Sequence, residues 1–135
     1  MMSKNKLKIF ITGSKGFVGT HIKNTFQKKY QLLTPNKKIL NLNNSLQVKK
    51  FIDENRPDMI IHLATSTKFK KKKLNEKKNQ INNTFNTTKN LVKNINPECK
   101  LIIFFGSIEE YGDIKCPFRE KQKVKPVRYY GQYKY

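Results

Sequence analysis

The closing residues Tyr129-Tyr130-Gly131-Gln132-Tyr133-Lys134-Tyr135 place a tyrosine and a lysine four positions apart, Tyr130 and Lys134. On a helix that spacing sets both side chains on one face, so an ammonium can stand beside a phenol. The chemistry on offer is proton transfer. A free phenol has a pKa of about 10, too high for an efficient base near neutrality, and a neighbouring positive charge favours the phenolate. Tyr129 is out of register for this device, because the residue four positions on is Tyr133.

A second constellation lies near the other end. Gly13, Gly16 and Gly19 recur at intervals of three, directly after the apolar run Leu7–Thr12. Phe17, Val18, Ile22 and Phe26 then recur at helical spacing. A strand, a glycine-rich turn and a helix in that order are the context of a dinucleotide phosphate loop. The first glycine permits the tight turn, the second admits the pyrophosphate, and the third lets helix and strand pack closely. The helix start then offers free N–H groups and a partial positive charge.

These residues need elements to position them. Tyr30–Thr34 and Ile39–Leu42 read as short strands. Asn44 or Ser45 caps a helix with Leu46, Val48, Phe51 and Ile52 on its inner face, and Arg56-Pro57 ends it. Asp58–Ala64 and Leu101–Phe105 are apolar almost throughout, the pattern of strands buried on both faces of a parallel sheet. A helix is expected over 79–94, with Ile81, Phe85, Leu91 and Val92 inward. Gly106–Val127 is mostly loop, and a further helix begins near Tyr129. Alternating strands and helices require right-handed crossovers. The expectation is an α/β, Rossmann-like, doubly wound parallel sheet of about five strands, forming one domain over residues 1–135.

Composition narrows the partners. A net charge of +20 draws anions, nucleotide phosphates among them. The basic stretch Lys68–Lys78 has Phe69 as its one aromatic residue and no nucleic-acid motif, so a nucleic-acid partner is not expected. Cys99 and Cys116 have neither metal spacing nor disulfide density, and no metal site is expected. No run approaches the roughly 20 apolar residues of a membrane span, and the first residues lack a signal-peptide stretch. A cytoplasmic location without membrane attachment is the expectation.

Four segments, in order, resemble the extended short-chain dehydrogenase/reductase family, the NAD(P)-dependent nucleotide-sugar epimerases, dehydratases and reductases. Thr12–Gly19 is similar to its TGxxGFxG loop, and Pro57–Ala64 to its PDxVIHLA strand. Gly106–Gly112 is similar to its (S/G)SxxxYG element, and Pro126–Lys134 to its PxxxYGxSK segment. The resemblance implies NAD or NADP as cofactor and a nucleotide sugar as substrate. It implies that Gly13, Gly16, Phe17, Val18, Gly19, Asn41, Leu63, Ala64, Tyr130 and Lys134 bind the cofactor. It makes Ser107 the hydroxyl that bonds the reacting sugar oxygen and Tyr130 the acid/base, with Lys134 also holding the nicotinamide ribose. Glu109 falls where dehydratases carry a glutamate, though Ile108 replaces the acid beside it in some of them.

Other positions depart from the family pattern. Asn41 stands where an aspartate often meets the adenine. Thr34-Pro35-Asn36-Lys37-Lys38 stands where the family commonly has an acidic residue that binds the adenosine ribose, and Lys37 and Lys38 are a weak lean toward the extra phosphate of NADP. Thr84, Thr87 and Thr88 fall at an Asn and Gly-Thr pattern of which Thr88 alone is retained, and Tyr133 replaces a small residue. Family members usually continue for a length comparable to this chain, so the resemblance implies the amino-terminal portion of such an enzyme. The alternative is a non-catalytic dinucleotide-binding or interaction module. A homodimer or a complementing carboxyl-terminal chain are both open as partners.

Overall fold

The computed structural model describes residues 6–65 and 74–135, without the side chains at 74–81, 83 and 84. The basic stretch after Thr67 and the expected inward position of Ile81 lie outside the described residues. The glycine loop joins β1 (Lys8–Thr12) to α1 (Phe17–Phe26). Then come β2 (Gln31–Leu33), α2 (Ser45–Asn55), β3 (Met59–His62), α3 (Leu74–Lys93) and β4 (Leu101–Phe104). A 3-10 turn at Ile108–Glu110 and α4 (Tyr129–Lys134) complete the order.

The strands form one parallel sheet in the order β2-β1-β3-β4. Register explains the apolar runs. Phe10 lies beside Ile60 and Ile60 beside Ile102, so these side chains share a face. On that face Phe10 and Ile60 are buried against Val48 and Ile52 of α2 and Leu91 of α3. Ile9, Ile11 and Ile61 point the other way and are covered by Ile22 and Phe26 of α1. Helices therefore cover both faces of the sheet, as the doubly wound expectation requires.

Three expectations need correction. The sheet has four strands among the described residues, because Ile39–Leu42 is not one of them. The Asn36 side chain and carbonyl accept the N–H groups of Lys38, Ile39 and Leu40, closing a turn that a strand would have to open. Leu40 still reaches the core from that turn. On α2, Leu46 is 80% exposed while Val48 and Ile52 are fully buried, so the inner face is narrower than the apolar residues suggested. Likewise Phe85 and Val92 of α3 are exposed and Leu91 supplies the buried contact.

Two compact units result, one of residues 6–65 and 86–104, the other of 74–85 and 105–135. In the first, β4 is an edge strand, and Leu101, Ile103 and Phe104 are all exposed. Among the described residues no helix is long and apolar enough to cross a membrane.

Candidate functional site

In the first unit the glycine loop turns on Gly13, whose φ of +69° is the left-handed region that favours glycine. A Cβ there would also stand 2.8 Å from the Ala64 nitrogen and the Leu63 carbonyl carbon. Gly19, buried in the first turns of α1, leaves no more room, since a Cβ would meet Ser14 Cα at 2.7 Å. The Gly16 N–H bonds the Gly13 carbonyl at 2.9 Å, and Gly16 is the N-cap of α1. No side chain caps that helix, so its first-turn N–H groups stay available to a ligand. Phe17 is 86% exposed and its ring stacks on His21 at 5.6 Å; Val18 is also exposed.

Leu63 and Ala64 follow β3 and are tied to the loop through Thr12. Thr12 Oγ1 accepts the N–H groups of Leu63 at 3.2 Å and Ala64 at 3.1 Å. The same Oγ1 shares a hydrogen bond with His62 Nδ1, 2.8 Å away. His62 Nε2 in turn lies 3.0 Å from Thr88 Oγ1, within hydrogen-bond reach. This chain ties β1, β3 and α3 together beneath the glycine loop. Thr12 and His62 were not singled out as a pair from sequence; they face each other across β1 and β3.

Asn41 supports its own turn. Its Oδ1 accepts the Asn43 N–H at 3.1 Å, and its backbone N–H donates to Gln47 Oε1 at 3.0 Å.

The second unit holds Ser107, Glu109, Tyr130 and Lys134. Ser107 caps the 3-10 turn, accepting the Glu109 N–H at 3.2 Å through its hydroxyl. Gly131 is buried against this turn, and a Cβ would lie 2.7 Å from the Glu109 carbonyl carbon. That close approach seats α4, and Tyr130 with it, on the turn that carries Ser107. Lys134 Nζ donates to the Phe105 carbonyl at 2.8 Å and lies 6.0 Å from the Tyr130 ring centre. Burial, then Tyr133, Glu109 and Glu110, push the Tyr130 phenol above its ordinary value. Burial pulls Lys134 down, opposed by the Glu110 charge. The lysine is thus near the phenol, but burial first, and then Tyr133, Glu109 and Glu110, favour the neutral phenol over the phenolate. Tyr133, in place of a small residue, packs edge-on against Tyr130 at 5.7 Å. Glu110 was not singled out from sequence, although Ser107-x-x-Glu110 is the spacing of a capping box.

A model of the NAD dependent epimerase/dehydratase family matches residues 9–135. Among solved structures, the chain is similar to a dTDP-4-dehydrorhamnose reductase from Bacillus anthracis in complex with NADP. The identity is 26% and the TM-score 0.75, over 96% of this chain and 46% of that one. It is similar to a GDP-D-glycero-L-gluco-heptose synthase from Campylobacter jejuni in the presence of NADPH, at 25% identity and TM-score 0.76, over 99% and 40% of the two chains. A GDP-mannoheptose C4 reductase from Campylobacter jejuni with NADP bound shares the fold, at 24% identity and TM-score 0.79, over 99% and 45%. The chain spans less than half the length of these solved structures.

Proposed function

The chain belongs to the NAD dependent epimerase/dehydratase family, and on that premise we propose that it is the cofactor-binding and acid/base portion of a nucleotide-sugar oxidoreductase using NADP or NAD. The observation that carries the reading is the cradle at Gly13 and Gly19. Both positions abut backbone that a Cβ would displace, immediately before a helix whose first N–H groups no side chain caps. A diphosphate suits the uncapped helix start by charge, and the close turn of the glycines lets the backbone present those N–H groups.

Gly13, Gly16, Phe17, Val18 and Gly19 would hold the diphosphate, and Leu63 and Ala64 the segment behind it. Exposed Lys37 and Lys38, beyond β2, favour the extra phosphate of NADP. When bound, the cofactor supplies or accepts a hydride at a sugar carbon. Ser107 donates a hydrogen bond to the oxygen on that carbon, and its second role as acceptor for Glu109 leaves the hydroxyl proton free to do so. Tyr130 moves the proton at that oxygen, and Lys134 holds the nicotinamide ribose. A phenol raised above its ordinary value is protonated at neutral pH, which suits proton donation to a sugar ketone. Glu109 contributes its backbone to the turn and to the seat of Gly131; a proton-removing role for its carboxylate would serve the dehydratase alternative.

The test is NADPH consumption by the full chain on addition of a nucleoside-diphosphate 4-keto sugar. Turnover that falls by about a hundredfold or more in Tyr130→Phe is expected for a general acid. Saturable NADPH binding without consumption would leave a dinucleotide-binding module and remove the catalytic part of the reading.

A further inference from the structure

Ser107 is held from two directions. Its hydroxyl accepts the Glu109 N–H, and its own backbone N–H donates to Glu110 Oε1 at 2.6 Å, the short contact of a charge-assisted bond. Together these make a reciprocal capping box around the 3-10 turn. Gly106 makes room for it, because a Cβ there would lie 2.7 Å from Glu110 Oε1. The turn is closed by the Glu110 N–H on the Ser107 carbonyl and the Tyr111 N–H on the Ile108 carbonyl, both at 3.1 Å.

We propose that Glu110 is a positioning residue for Ser107: its carboxylate clamps the Ser107 backbone and so directs the serine hydroxyl as a hydrogen-bond donor to the reacting sugar oxygen. The inference rests on the proposed role of Ser107. A serine hydroxyl on an unclamped loop turns freely about its Cα–Cβ bond and shares its proton with any acceptor. With the backbone N–H fixed by Glu110 and one lone pair filled by Glu109, the oxygen is fixed and its proton is left for an outside acceptor. The same clamp supports the turn on which Gly131 is seated, so serine and tyrosine are organised from one carboxylate. The clamp has an electrostatic cost. Glu110 is among the charges that oppose the Tyr130 phenolate, alongside Tyr133 and Glu109, with Lys134 the nearby cation.

Three variants of the full chain separate clamp from charge. Glu110→Gln keeps an oxygen for the Ser107 N–H, Glu110→Ala removes it, and Gly106→Ala crowds it. Hydrogen exchange at the Ser107 amide reads the clamp without reference to any reaction. Protection should fall by roughly tenfold in Glu110→Ala, the equivalent of a lost cap, fall in Gly106→Ala, and persist in Glu110→Gln. In the NADPH assay Glu110→Ala should lower kcat with KM little changed, Glu110→Gln should restore most of it, and Glu110→Ala should add little in a Ser107→Ala background. Unchanged Ser107 protection in Glu110→Ala overturns the clamp. Intact rates in Glu110→Ala, or Glu110→Gln as deficient as Glu110→Ala, overturn the positioning role. A wild-type chain with the clamp but no turnover overturns the catalytic assignment of Ser107 instead.

Discussion

Tyr130 is the residue on which reaction and environment meet. Its phenol is raised chiefly by burial, with Tyr133, Glu109 and Glu110 adding to it. The sign follows: a group with a raised folded pKa contributes stability fully present below the ordinary phenol value and lost as pH climbs through the raised one. An absorbance titration of the chain minus that of Tyr130→Phe should show one phenol ionising above the ordinary value; ionisation at or below it would contradict the assigned environment. Glycines were the most legible part of the site, because Gly13 and Gly19 answer to backbone crowding that allows no other side chain. The Thr12–His62–Thr88 chain was not legible, since it depends on which residues pair across β1 and β3 and where α3 passes them. Thr88 could be matched to the family pattern, but its bond to a strand-end histidine could not.

Elements were legible where one period dominated. The runs at β1 and β3 are buried on both faces, and Phe10, Ile11, Ile60 and Ile61 fill both cores. Ile39–Leu42 looked like a strand by composition and became a turn because Asn36 gathers the N–H groups that a sheet would need. On α2, apolar Leu46 and Val48 are two apart and cannot share a face, and the fully buried pair is Val48 and Ile52. Ile52→Ala should therefore cost about 2–5 kcal/mol in a urea melt, and Leu46→Ala at most about 0.5 kcal/mol. Equal effects would misplace the helix. β4 carries an apolar sequence into an exposed edge, with Ile103 on the α1 side of the sheet. Edge strands of this kind pair with other chains. Ile103→Lys should lower concentration-dependent light scattering of the pure chain, and unchanged scattering would place the sticky surface elsewhere.

At the scale of the molecule, a parallel sheet with helices on both faces presents the turns after its strands to ligands. The loop after β1 and the segment after β3 meet there, bound through Thr12. A formal charge of +20 adds long-range attraction for a diphosphate, which should make binding weaker as salt rises. The family and its fold could be read from four ordered motifs, whereas the clamp on Ser107 and the setting of Tyr130 emerged from packing around a short turn. The central claim is that the glycine cradle holds a dinucleotide. Calorimetric titration of the full chain with NADPH, NADP, NADH and NAD tests it most directly. Gly16→Ala is the control, because its added methyl meets only the Gly13 carbonyl oxygen, at 3.3 Å, while filling the approach to the helix start. The account predicts saturable binding at one site, tighter for the phosphorylated cofactors and weakened by about tenfold or more in Gly16→Ala. A well-folded chain that binds none of the four, or a Gly16→Ala chain that binds as tightly as its parent, would contradict it.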